Sequence, residues 1–138
     1  MLNIKANDAL LETYNTMKLK HKIGYIIASV QKDKETKTEF IGLEGDAYQK
    51  QGDEDYREKF IEAVKESKTV RFGVIDYNNK LLFVHWSPDG SKAKDKMVYS
   101  SIKEAFIQSL VGINQKVQAT DDGELNADVI ADLTKSNV

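Results

Sequence analysis

The 138-residue sequence predicts an α/β (α+β) protein in which a mixed five-stranded sheet is sandwiched between helices. Three observations lead there. Helix-like and strand-like segments follow in the order α-β-β-α-β-β-α-β-α, two pairs of strands are joined directly as hairpins, and the remaining connections run through helices. Direct hairpins argue against a parallel, doubly wound sheet.

Leu10, Leu11, Tyr14 and Met17 fall at i, i+1, i+4 and i+7 behind Asn7, whose side chain can accept from the free amides of a first helical turn. IGYIIASV, residues 23–30, is β-branched and too short for a typical buried helix, and TEFIGL beyond the charged KDKETK turn completes a hairpin. Asp55 and Glu58 make a capping-box pattern ahead of Tyr56, Phe60, Ala63 and Val64, one apolar face of a helix ending near Ser67. Val70, Phe72 and Val74 alternate with Arg71, Gly73 and Ile75, and LLFVHW reads as a more fully buried strand. Asn78 and Asn79 between them tolerate positive φ, which predicts a tight type I′ turn. After Pro88 come a helix from about Ser91 to Val111, a short strand at KVQAT, and a last helix in which Asn126 caps Val129, Ile130 and Leu133.

With 41% hydrophobic residues and one proline, the chain can bury one sizeable core, so a single domain over residues 1–138 is expected, with residues 135–138 as a short tail. The absence of cysteine excludes disulfides, thiolate metal ligands and thiol nucleophiles. Twenty basic against 22 acidic residues leave a net charge of -2, so any charge-based recognition must be local. No stretch approaches the ~18 consecutive apolar residues of a membrane span, which predicts a soluble, intracellular protein.

The two histidines have bland expectations: His21, in KLKHK, is expected to be a solvated loop residue, and His85, beside Trp86 on a strand, to be packed and hydrogen-bonded. Acidic runs at 53–55 and 121–124 lack the spacing of a calcium loop. GLEG, residues 42–45, fits a GxxG nucleic-acid loop in form, but its glutamate would repel phosphate and a turn is expected instead. No nucleotide-binding, nucleophile-elbow or zinc-protease motif occurs, which leaves an enzyme unsupported without excluding one, and no catalytic residue, metal or cofactor is assigned.

The helix after Pro88 is more informative. At about 100° per residue, Val98, Tyr99, Ile102, Ala105, Phe106 and Ser109 gather on a face expected to lie on the sheet. Lys94, Met97, Ser101, Glu104 and Gln108 fall opposite, with Lys92, Lys96 and Lys103 along a flank. Exposed lysines ordinarily serve solvation. Met97, however, is an apolar side chain without a core to enter, and Lys94 and Lys96 stand near a helix N-terminus, where the macrodipole disfavours cations. The combination predicts a protein-binding helix.

The string WSPDGSKAKDKMVYSSIKEAF, with VGINQKVQATDDGEL after it and YNTMKLKHK near the start, resembles the actin-depolymerizing factor/cofilin family over nearly the whole chain. The resemblance implies an ADF-homology fold whose long helix inserts between actin subdomains 1 and 3. It implies a cytoplasmic, monomeric protein that binds actin monomers, ADP-actin preferred, and promotes filament depolymerisation and turnover. The monomer-binding residues it implies are Leu2, Asn3, Ile4, Lys94, Lys96, Met97, Ser101 and Lys103. Overlapping basic surfaces in the family also imply phosphoinositide binding.

Departures from the family pattern matter too. MLNIKAND has no serine, so the phosphorylation switch of regulated members is expected to be absent, and Ile107 and Gln108 stand where some relatives carry two basic residues. The family's long basic filament-binding loop is shortened here to the turn in IDYNNKLLFV, leaving Lys80 as its matching lysine. On the last helix Asp132 matches an acidic position, Leu133 replaces a common basic residue, and Lys135 is nearby. A weak filament contact through Lys80, Asp132 and Lys135, with weak severing, is therefore implied. Two alternatives stand beside this: a related module acting on actin-related proteins at filament branches, and an anionic-lipid or nucleic-acid binder that joins the lysine flank to Lys18, Lys20 and Lys22. Nucleic acid is not a partner in the leading reading.

Overall fold

A computed structural model describes residues 4–36 and 40–135, and its elements follow the expected order: α1 (Asp8–Lys20), β1 (Ile23–Lys32), β2 (Phe40–Gln49), α2 (Arg57–Lys65), β3 (Arg71–Tyr77), β4 (Lys80–Trp86), α3 (Ala93–Ser109), β5 (Gln115–Ala119) and α4 (Ala127–Leu133). The strands form one sheet in the order β2-β1-β3-β4-β5. Every neighbouring pair is antiparallel except β4 and β5, which run parallel because α3 carries the chain back between them.

Period-two alternation sorts the strand side chains into two layers. Ile26, Ala28, Phe72, Val74, Leu81 and Phe83 face α1 and α3, whereas Tyr25, Ile75, Leu82, Val84 and Trp86 face α2 and α4. Each fully buried large side chain in these layers stabilises the fold by about 1.5–3 kcal/mol. Gly73 lets α2 approach β3: a Cβ at that position would lie 2.8 Å from the ring of Phe60.

Local signals behave as the physics requires, with two exceptions. Asn7 Oδ1 accepts from Leu10 N at 2.7 Å and Asn126 Oδ1 from Val129 N at 3.0 Å, so both expected caps form. Asn78 and Asn79 take φ of 53° and 60°, which makes the tight hairpin between β3 and β4. The capping box at α2 does not form. Tyr56 occupies the cap position without a side-chain bond to the first turn, and Asp55 instead accepts from the amide and guanidinium of Arg57. Nor is GLEG a turn: it lies within β2, where Leu43 is buried in the core and both glycines pair with β1. The strand continues because Leu43 has a core to enter, which a short glycine-flanked string does not reveal.

Candidate protein-binding site

The site is built on α3. Val98, Tyr99, Ile102 and Phe106 are buried against the sheet, whereas Ala105 and Ser109, expected on the same face, are exposed at its margin. Tyr99 does most to clamp the helix. Its ring meets Phe72 edge-on at 5.1 Å, and its hydroxyl accepts from the Val30 amide at 2.8 Å and from Arg71 Nη1 at 3.4 Å, tying α3 to β1 and β3. Burial raises the Tyr99 pKa and keeps the hydroxyl protonated. On the opposite side Lys94, Met97 and Ser101 are exposed, Met97 to 60%.

The first turn of α3 is electropositive for two reasons. Lys92 sits at the cap position and makes no side-chain bond to the free amides of that turn. Lys94 and Lys96 then add their charges at the same end. Asp95 turns away from them: its carboxylate lies 3.8 Å from Lys32 Nζ and accepts from Thr69 Oγ1 at 3.4 Å, which fixes the start of the helix to the ends of the central strands. Lys96 is half-buried and donates to the Asp89 carbonyl at 3.2 Å. The arrangement presents an apolar side chain and cations on a rigid rod, suited to a protein surface with carboxylates around an apolar cleft.

The expected residues do not all meet. Lys103 stands apart on the flank, donating to Gln118 Oε1 of β5 at 2.9 Å, and the Ser101 hydroxyl donates to the Val98 carbonyl of its own helix at 2.8 Å. Ile4 needs correction. It is 8% exposed and belongs to the core against α1 and α3, so its apolar surface is already covered. The segment carrying it is stitched to the edge of β2: Leu43 N donates to Lys5 O and Asn7 N to Leu43 O, both at 3.0 Å. Leu2 and Asn3 lie outside the described residues.

At the hairpin end, Lys80, Asp132 and Lys135 line one hollow of about 250 Å³ together with Asn114 and Gln115. The structure thus brings Lys80 to Asp132 and Lys135, which are three residues apart and lie 3.8 Å from each other, Nζ to Oδ1. Asn114 holds the place together: its side-chain oxygen accepts from Leu81 N at 2.7 Å while its own amide donates to Leu81 O at 2.9 Å. Before KVQAT it reads only as a polar loop residue, so sequence spacing offers no signal for this role. Leu133 is half-buried against the α2 layer, which accounts for an apolar residue there.

Both histidines differ from expectation. His21 ends α1 in the left-handed region at φ 54°, and its Nδ1 lies 3.0 Å from Asp76 Oδ2, so it is partnered rather than simply solvated. Asp76 is buried and also meets Lys50 Nζ at 3.3 Å. His85 is packed, edge-on to Phe72 at 5.2 Å, but neither ring nitrogen has a hydrogen-bond partner among the described residues. Burial, helped by the charge of Lys103, pushes its pKa down to about 4.

Among the described residues no group of three metal-ligating side chains converges, and no helix is long and apolar enough to cross a membrane. Lys18 lies at the C-terminal end of α3, nearer Lys103 than the cationic first turn. Lys18 Nζ donates to the Val111 carbonyl just past the C-terminal end of α3, some 17 residues from Lys94, or about 25 Å at the helical rise.

Comparison with known proteins places this geometry. A family described as cofilin/tropomyosin-type actin-binding protein matches residues 3–135. An actophorin of Entamoeba histolytica is 33% identical, with 94% of each chain covered, and an actophorin of Acanthamoeba castellanii is 29% identical over 100% of this chain and 99% of its own. A Streptomyces griseoflavus cofilin structure superposes with a TM-score of 0.75 at 31% identity, covering 96% of this chain and 100% of that one. Plasmodium berghei actin depolymerization factor 2, at 20% identity and a TM-score of 0.78 over 99% of each chain, shares the fold.

Proposed function

The chain belongs to the cofilin/actin-depolymerizing factor family, and from that premise we propose that it binds actin monomers through α3 and promotes the depolymerisation and turnover of actin filaments. The single observation that carries the assignment of the site is Met97, 60% exposed beside Lys94 and Lys96 on a helix whose other face is locked into the core. In this reading the two lysines pair with actin carboxylates, Met97 packs into an apolar cleft, and Ser101 and Lys103 make contacts farther along the helix. Leu2 and Asn3 extend the contact at the N-terminus, while Ile4 positions that segment from within the core.

Lys80, Asp132 and Lys135 form the secondary, filament-directed contact, and the tight Asn78–Asn79 turn makes it small, so severing is weak. The protein works by binding alone, without a catalytic step, as a cytoplasmic monomer with preference for ADP-actin. Phosphoinositides compete for the cationic end of α3. The purified protein, added to actin filaments, should increase the unsedimented fraction and accelerate loss of pyrene-actin fluorescence on dilution. Neither effect at stoichiometric protein would overturn the assignment.

A further inference from the structure

The layer opposite α3 contains a surface that monomer binding leaves unused. Sheet order makes β2 an edge strand, and its outer edge is only partly covered. Leu43 turns both its amide and carbonyl outward, to Asn7 and Lys5, so this edge already accepts an added strand from the chain's own N-terminal segment. By the period of two, Gly45 and Ala47 turn their amides and carbonyls the same way, and no backbone or side-chain group among the described residues meets them. Four backbone hydrogen-bonding groups therefore stand open beyond the point where the N-terminal segment ends.

Beside this open edge runs a groove of about 540 Å³ on the α2 side of the sheet. Its floor is apolar and aromatic: Tyr25 and Tyr48 stack at 4.9 Å, flanked by Ile27 and Ala63. Asp46 on β2 and Glu66 at the end of α2 line it, with Glu44 two residues away on the same face of β2. Of the nearby cations Lys59 is paired with a carboxylate, 2.6 Å from Glu54, and donates to the Tyr48 hydroxyl. Arg71 lines the far end of the groove with Nη1 turned to the Val70 carbonyl at 2.7 Å and to the Tyr99 hydroxyl. Among the described residues neither Asp46 nor Glu66 has a cationic partner.

We propose that the Gly45–Ala47 edge and the adjoining groove receive an extended segment of another protein in which basic residues alternate with small or apolar ones. Strand addition supplies the backbone hydrogen bonds, and side chains on the α2 side bring positive charge to Glu44, Asp46 and Glu66. A second copy of this chain fits poorly: antiparallel self-pairing centred on Gly45 sets Glu44 against the other copy's Asp46, and pairing centred on Asp46 sets that residue against its own counterpart, like-charge arrangements that keep sheet edges apart. The surface lies on the layer opposite α3, so occupancy is compatible with a partner bound there and does not rest on the actin assignment.

The test is a titration of the full-length ¹⁵N-labelled protein with two capped peptides, (Arg-Val)₃ and (Glu-Val)₃, followed by amide chemical shifts. The arginine peptide should perturb Gly45, Ala47, Tyr48 and Ala63 and slow hydrogen exchange at Gly45 and Ala47. The glutamate peptide should not. An Asp46→Lys, Glu66→Lys variant, substituted only at exposed positions and with shifts elsewhere unchanged, should bind the arginine peptide at least tenfold more weakly. Equal binding of the two peptides, perturbation centred on another surface, absence of binding, or an affinity indifferent to the double substitution would each overturn the proposal.

Discussion

The N-terminal half of α3 and the hollow at Lys80 are both exposed and charged, but they are framed by different means. Residues 94–97 belong to one continuous helix, and four buried side chains of that helix hold them in place. The hollow is assembled from a hairpin, the start of β5 and the seven-residue α4, with Asn114 as the tie between two of them. A rigid rod offers several contacts whose geometry is set before the partner arrives, and little ordering entropy is lost on binding. Three short segments with one lysine on a tight turn offer less. The difference accounts for assigning the dominant contact to α3 and a subordinate one to the hairpin end.

Three changes would sharpen or break this contrast. The largest effect is expected from Ile102→Ala, which removes a buried side chain beneath α3 and should cost about 2–5 kcal/mol in urea unfolding. A loss below about 1 kcal/mol would mean that the helix is not held as described. His85 gives the next effect, through pH. Its folded-state pKa lies below its usual 6.5, so the stability present above pH 6.5, where the imidazole is neutral in both states, is lost as pH falls from 6.5 toward 4, by about 3 kcal/mol. Because His85 lies under the α3 layer beside Phe72, His85→Leu should flatten that acid limb in denaturation curves recorded across this window. An unchanged slope would contradict the unpartnered burial of the imidazole.

The smallest effect belongs to the hairpin end. Lys80→Ala should leave monomer affinity unchanged and reduce filament co-sedimentation by no more than about fivefold, in keeping with ~1 kcal/mol or less for an exposed charge contact. A loss comparable to that from the α3 lysines would reverse the ranking of the two regions.

How much of this was legible in the sequence follows the same division. Periodicity reads a continuous element well, so the four buried residues of α3, the caps at Asn7 and Asn126 and the Asn78–Asn79 turn emerge from spacing, although it also places the exposed Ala105 and Ser109 on the inward face. It reads poorly whatever depends on a neighbour distant in sequence. Ile4 looks like part of a free N-terminal segment until β2 is seen to bind that segment, and His21 looks solvated until Asp76 is found beside it. GLEG has the composition of a turn, but the core position of Leu43 draws it into a strand. Lys80, Asp132 and Lys135 were picked out by family resemblance, and their convergence on one hollow is a property of the fold alone.

The central claim, that the cationic first turns of α3 form the principal actin contact, is tested most directly by the affinity of a Lys94→Ala, Lys96→Ala double variant for monomeric ADP-actin. Lys94 is exposed and Lys96 is half-buried on the flank, donating to the Asp89 carbonyl; neither is among the buried residues of α3, and the fold should be preserved. The account predicts a loss of about 2–5 kcal/mol, or roughly thirty- to several-thousand-fold in Kd. Wild-type affinity in a folded double variant would contradict it.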